Sequence, residues 1–344
     1  MSVHFPKIYM IERKAVVCPH RYALMWAENV RMVELMSNRV VIAGAGVMGA
    51  SLAQVYALAG YEVVVYDVAA AGIEKGKHLV SLNQQTMVNE QLITQEQSRK
   101  ACSLISYTLE KDCFRSCDLV VECIVERMDV KQSFWREVSR MAPDDALLAT
   151  NTSGLHITEI ATAVEKPERF MGQHWLNPPH LLPLCEIIAG EKTSEENVAK
   201  MRKLVSDLGK SPVVVKDING FIINRIQFAV LREALYIVGL GAATFEDVDT
   251  VLKAGMGLRY AALGPFGVAD FGGLDTFDHI NSYLNADLCD AKEGSKLLHE
   301  MVESGKLGVK SGEGFYDYSG DKADKAIRER DKLFIELAKV LYFK

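Results

Sequence analysis

The stretch from Arg39 to Asp67 restricts the fold more than any other part of the chain. An apolar β-branched run, Val40-Val41-Ile42-Ala43, leads into Gly44-Ala45-Gly46-Val47-Met48-Gly49. An Ala- and Leu-rich stretch follows to Ala59 with Gly60 as its C-cap, and a second run, Tyr61 to Tyr66, ends in Asp67. This reads as strand, helix, strand, and continuous β-branched runs imply a parallel sheet covered on both faces. In G-x-G-x-x-G the glycines allow a tight turn, backbone approach to a pyrophosphate and close helix-to-strand packing. The helix N-terminus offers free N–H groups and a positive dipole end to the phosphates. Asp67 lies 18 residues beyond Gly49 and would accept hydrogen bonds from a ribose 2′,3′-diol. It would repel a 2′-phosphate, and no Arg or Lys follows it directly, so NAD is expected rather than NADP. Gly44, Gly46, Val47, Met48, Gly49 and Asp67 are the expected cofactor contacts. The bland alternative is a glycine-rich turn that holds FAD, another nucleotide or nothing.

Beyond Asp67, residues 72–101 are polar and helical in period, with Thr94-Gln95-Glu96-Gln97 spaced as a capping box, which predicts a helical hairpin. Short strands are predicted at Leu104–Tyr107, Leu119–Ile124, Ala146–Thr150, Phe170–His174, Leu184–Ala189 and Pro212–Val215. Helices are predicted at Asp129–Met141 and Glu195–Leu208. After Lys216 the β-branched runs stop, and Phe221, Ile222, Phe228, Leu231 and Leu235 fit a helical face. The fold expected is α/β, a Rossmann-type doubly wound parallel sheet over 36–216, followed by an all-helical C-terminal domain over 217–344. Residues 1–35 form an extension of unknown role. They lack the apolar core of a secretory signal, and Glu12, Glu28 and Glu34 argue against a transit peptide. Met10, Met25, Met32 and Met36 are all candidate starts, so a mis-assigned start codon is the first explanation and a docking arm the second.

Composition narrows the partners. With 39 Lys and Arg against 45 Asp and Glu the net charge is −6, a field that repels nucleic acid and anionic membrane. No apolar stretch approaches the ~18–20 residues of a membrane span. Seven cysteines without a C-x-x-C pair read as reduced, mostly buried thiols of a cytoplasmic protein. Cys113, Cys117 and Cys123 as metal ligands lack a second pair at zinc spacing, and no metal is expected.

Three further segments fall at predicted strand ends, where open α/β sheets place ligands. They are Asn151-Thr152-Ser153, Gly172-Gln173-His174-Trp175-Leu176-Asn177-Pro178-Pro179 and Pro183-Leu184-Cys185-Glu186-Ile187-Ile188. With Gly220-Phe221-Ile222-Ile223-Asn224-Arg225 and Gly264-Pro265-Phe266-Gly267-Val268-Ala269-Asp270, the ordered set resembles the L-3-hydroxyacyl-CoA dehydrogenase family from about Arg39 to Tyr318. The resemblance implies that His174 is the catalytic histidine and Glu186, 12 residues on, the glutamate paired with it. It implies that Ser153 and Asn224 hold the substrate oxygens, that Glu126 and Lys131 lie near the nicotinamide ribose, and that Asn177 and Lys310 are further cofactor contacts. It also implies a homodimer formed through the helical domain. The residue types suit the chemistry: oxidation of a secondary alcohol needs a base, imidazole titrates near neutral pH, and a carboxylate on its other nitrogen fixes the tautomer. Bland alternatives stand beside each role. His174 could be a satisfied structural histidine, Glu186 could face solvent, Asn224 could be a surface amide, and Ser153 could be an N-cap.

The expected reaction is NAD-dependent oxidation of a short-chain L-3-hydroxyacyl-CoA, of the 3-hydroxybutyryl-CoA type. Members that use acyl-CoA carry several lysines on the helical hairpin, whereas Lys75 and Lys77 are the only ones between Asp67 and Arg99. Asn177 to Leu184 and Gly257-Leu258-Arg259-Tyr260 resemble instead the branch acting on small polar 3-hydroxy acids such as carnitine and L-gulonate. Arg259 could pair a free carboxylate or simply face solvent. Gly264 to Asp270 and Gly308 to Tyr316 resemble the acyl-CoA branch. A third expectation, a crystallin-like or NAD-binding protein without catalysis, is opposed by the intact His174 and Glu186.

Overall fold

The computed structural model describes residues 39–342. The 1–35 extension and its candidate start sites lie outside the described residues. An eight-stranded sheet in the order β3-β2-β1-β4-β5-β6-β7-β8 forms the first half. In chain order, β1 (Arg39–Ala43), α1 (Val47–Leu58) and β2 (Glu62–Tyr66) make the opening unit. The predicted hairpin follows as α2 (Ala70–Asn89) and α3 (Gln95–Ser103). Thr94 Oγ1 accepts from the Gln97 amide while the Gln97 side chain accepts from the Thr94 amide, the expected capping box. Then come β3 (Ile105–Thr108), β4 (Leu119–Glu122), α4 (Met128–Met141), β5 (Leu147–Thr150) and α5 (Ile157–Ala161). The half closes with β6 (Phe170–Trp175), β7 (Leu184–Ala189), α6 (Glu195–Asp207) and β8 (Ser211–Lys216).

Alternate residues of each central strand point to opposite faces, and both faces are apolar. Val40 and Ile42 join Leu52, Tyr56, Met201 and Val205 on one side. Val41 and Ala43 join Phe114, Trp135, Ile160 and Phe170 on the other. The sheet is doubly wound as expected, with one departure from an all-parallel order: β6 and β7 pair antiparallel. Only Leu176 to Pro183 separates them, a connection too short for the crossover that parallel pairing requires. This reversal turns out to build the site.

The second half starts at α7 (Ile223–Gly239) and continues through α8 (Phe245–Val251), a π-helical stretch at Leu252–Gly257, and α9 (Leu258–Gly272). α10 (Leu274–Leu284), α11 (Lys296–Glu303) and α12 (Lys322–Leu341) complete it. Gly264, at φ 69°, and Pro265 break α9 in its middle. The half is helical except for two isolated bridges, Gly308 with Glu313 and Glu313 with Asp317. No helix among the described residues is long and apolar enough to cross a membrane.

Candidate active site

The glycine turn sits between β1 and α1, with each glycine constrained differently. Gly44 holds φ at 106°, and a Cβ there would meet the Cys123 carbonyl oxygen at 2.7 Å. A Cβ on Gly49 would fall 1.8 Å from the Gly44 carbonyl oxygen, so only glycine lets α1 leave the strand so closely. A Cβ on Gly46 would meet nothing within 4 Å. That open face is where a pyrophosphate can approach the backbone. Gly46 caps α1 without a side-chain hydrogen bond, leaving the first-turn amides free for an anion. Val47 is exposed and Met48 half-buried beside them. Asp67 ends β2 with Oδ2 accepting from the Ala45 amide at 2.8 Å and Oδ1 from the Ala69 amide at 3.0 Å. Turn, helix end and carboxylate fit a dinucleotide with a free ribose diol.

His174 and Glu186 face each other directly across the antiparallel β6–β7 ladder. Side chains at such a position share one face of the sheet, which is why a separation of 12 residues brings them together. The imidazole Nδ1 lies 2.8 Å from Glu186 Oε2, and both side chains are almost wholly buried. Glu186 Oε1 accepts from the Ile222 amide at 2.9 Å and the Ile223 amide at 3.0 Å. Burial pushes the Glu186 carboxyl up, but the hydrogen bonds from His174, Ile223 and Ile222 outweigh it and hold the group below its ordinary value. A carboxylate so bound holds the proton on Nδ1 and leaves Nε2 to accept one.

Glu126 accepts from Thr152 Oγ1 at 2.5 Å and from the Ser153 amide at 2.8 Å, and the Asn224 amide group donates to the Ser153 carbonyl at 2.5 Å. Ser153 and Asn224, 71 residues apart, therefore meet across the junction of the two halves. Ser153 is not the cap of α5; Asp217 takes that role, accepting from the Ile157 and Thr158 amides. Lys131 is turned inward, with no exposed surface, its Nζ against Glu122 Oε1 and 3.3 Å from Glu126 Oε2. A nicotinamide ribose would meet Lys131 only through Glu126. Asn177 is exposed just before a cis bond to Pro178. Lys310 is exposed in the turn after Gly308 and has no hydrogen bond or ion pair to the other site residues among the described ones.

Two supports, Glu122 and Lys210, lie outside the motif set. Glu122, fully buried, accepts from Lys131, the Ile124 amide, Trp135 Nε1 and Thr150 Oγ1. Its signal was a single acid closing an apolar strand. Lys210 donates to the Pro179 and Leu182 carbonyls and so holds the loop after β6, and burial pulls its ammonium down to about 8. Asn151 Oδ1 accepts from the Trp175 amide and ties the end of β5 to the end of β6.

Two family models match the chain, the NAD-binding domain of 3-hydroxyacyl-CoA dehydrogenase over residues 39–218 and its C-terminal domain over 220–318. The chain belongs to the 3-hydroxyacyl-CoA dehydrogenase family. It is 38% identical over 286 residues to a 3-hydroxybutyryl-CoA dehydrogenase of Bradyrhizobium diazoefficiens, 83% of this chain and 97% of the relative. It is 35% identical over 308 residues to a 5-formyl-3-hydroxy-2-methylpyridine 4-carboxylate 5-dehydrogenase of Mesorhizobium japonicum, 89% of this chain and 99% of the relative. Among solved structures, a 5-dehydrogenase of that pyridine acid, described as an NAD+-dependent dismutase, superposes with a TM-score of 0.82 at 34% identity, covering 89% of this chain and 99% of that one. An (S)-3-hydroxybutyryl-CoA dehydrogenase from Ralstonia eutropha gives 0.68 at 32% identity, covering 83% of this chain and 100% of that one. As a 3-hydroxyacyl-CoA dehydrogenase family member the chain is an NAD-dependent oxidoreductase acting on CH–OH.

Proposed function

We propose that the protein oxidises a short-chain L-3-hydroxyacyl-CoA, of the 3-hydroxybutyryl-CoA type, to the 3-oxoacyl-CoA. The observation that carries this reading is the buried His174–Glu186 pair, with Nδ1 committed to the carboxylate and Nε2 left over. NAD would supply the acceptor for the hydride of the carbinol carbon. His174 Nε2 removes the hydroxyl proton as that hydride departs, and Glu186 stabilises the imidazolium that forms. In the reverse direction the imidazolium returns the proton to the alkoxide. Ser153 and Asn224 hold the substrate oxygen within reach of Nε2. Gly44, Gly46, Val47, Met48, Gly49 and Asp67 would hold the cofactor from the 36–216 domain, with Glu126 at its ribose, Lys131 behind Glu126, and Asn177 and Lys310 as further contacts.

A second reading is a small free acid in place of the thioester. It is supported by the hairpin, where only Lys75 and Lys77 could meet CoA phosphates, and by the likeness to the pyridine-acid dehydrogenase. NAD reduction with L-3-hydroxybutyryl-CoA, set against carnitine, L-gulonate and the pyridine 4-carboxylate aldehyde, separates the readings. Turnover of a free acid without turnover of the thioester overturns the first.

The 217–344 half exposes Phe266 at 86%, Phe271 at 83% and Leu258 at 73%. Large apolar side chains left this open along one stretch of chain, Leu258 to Phe271, suit an interaction surface, and we assign their cover to a second copy of the chain. The six described cysteines are all free, which suits a reducing cytoplasmic compartment.

A further inference from the structure

The turn that joins the halves carries an unusual residue. Gly220 holds φ at 73° and Phe221 follows at φ 51°, so two left-handed residues stand in a row. Glycine adopts that conformation freely, whereas for a bulky side chain it is strained. Phe221 is also fully buried, packed with Ile157, Ile188 and Val215. Its ring centre lies 5.4 Å from that of the His174 imidazole, with the rings tilted by 58°. The next two amides are the ones that Glu186 Oε1 accepts from, and α7 has no side-chain cap of its own. Three consecutive residues therefore converge on the same pair: a ring beside the imidazole and two donors on its carboxylate.

We propose that Phe221 is a positioning residue of the reaction, a wedge that stops the imidazole from rotating away from Glu186 and keeps Nε2 aimed at the substrate. Strain persists at a site when something in the surroundings requires it. Glycine at 221 would relieve the backbone and leave the turn and both amides in place. It would also leave one flank of the imidazole empty, and Glu186 grips the ring at one nitrogen only. The ring of Phe221 supplies the second restraint. Because only the N-cap residue Ile222 separates it from α7, the restraint arrives with the second half: the pair is complete only when that helix is seated on Glu186.

The inference rests on His174 being the base, and the test separates the two. F221G removes strain and ring together, while F221L keeps strain and apolar bulk but not the flat ring. For each, NAD affinity is titrated, NAD reduction with L-3-hydroxybutyryl-CoA is resolved into kcat and KM, and the downfield Nδ1 proton of protonated His174 is followed by NMR without cofactor, assigned by its loss in H174A. Expected for F221G is a fall in kcat of about tenfold or more with KM and NAD affinity within about threefold, and loss of the downfield proton through faster exchange. F221L falls between F221G and the parent. A merely structural role would lower the folded fraction and leave kcat per folded molecule and the proton signal unchanged, and that result overturns the proposal. Loss of the proton signal with unchanged turnover removes His174 as base and with it the role given to Phe221. Should F221G fail to fold, F221L decides by the same readouts.

Discussion

The two halves of the molecule enclose their apolar residues to different degrees. In the sheet half the apolar strands close on themselves, and even a lysine and a glutamate, Lys131 and Glu122, are wholly enclosed with partners for each polar atom. In the helical half Phe266, Phe271, Leu258 and Leu274 lie open, and ion pairs such as Lys253–Asp249 sit at the surface. Similar raw material gives a closed core in one place and an open face in the other. The sheet supplies two faces that its own crossover helices fill, whereas the run of helices with broken α9 leaves these side chains uncovered among the described residues. The chemistry proposed for the chain sits where the closed half meets the first turn of the open one.

This contrast can be attacked directly. The largest effect belongs to the site: H174A should lower turnover by about 10²–10⁴-fold while NAD affinity, read by fluorescence titration, stays within about threefold. Turnover within tenfold of the parent would remove the closed half's claim to the chemistry. Next, K131M leaves Glu122 enclosed without its cation, and breaking such a pair costs about 3–5 kcal/mol in urea unfolding. A loss below ~1 kcal/mol would show that the enclosure is looser than its geometry. On the open side, F266E with F271E should convert a dimer to monomer in sedimentation velocity with the His174–Glu186 pair untouched. A parent that sediments as a monomer refutes the assigned cover.

Smaller effects follow. Glu186 is held below its ordinary value of 4.5, so its bonds stabilise the fold above that value. The contribution is lost as pH falls through its lower folded value. The stability advantage of the parent over E186Q should thus shrink below about pH 4.5, and a constant difference down to pH 3 would contradict it. Smallest is K253M, which breaks an exposed i,i+4 pair and should change stability by less than about 0.5 kcal/mol.

The sequence shows some of this and hides the rest for physical reasons. The glycine turn is legible because Gly44 and Gly49 each meet a steric demand that no other residue satisfies, while Gly46 leaves the open face between them. The hairpin is legible because Thr94 and Gln97 form a local, reciprocal bond. His174 and Glu186 were found by resemblance to a family. Their geometric reason stayed hidden, since apolar runs do not announce that β7 turns back along β6. Glu122 and Asp217 bond to partners far along the chain, and a lone acid carries no mark of a distant partner. The helical period identified Phe228 and Leu235 as one face, but Phe228 is 57% exposed and Leu235 buried, because amphipathicity says which residues want cover and not whether cover exists.

The carboxylate of Asp67 has a second duty that bears on redesign. One of its oxygens holds the Ala45 amide inside the glycine turn, so the group that would read the ribose also tensions the loop that would receive the phosphates. Changing cofactor preference toward a 2′-phosphate by simply deleting that charge would slacken the loop as well. Asp67→Asn keeps an acceptor oxygen at that position and Asp67→Ala does not; a workable swap retains the oxygen and places the new cation elsewhere.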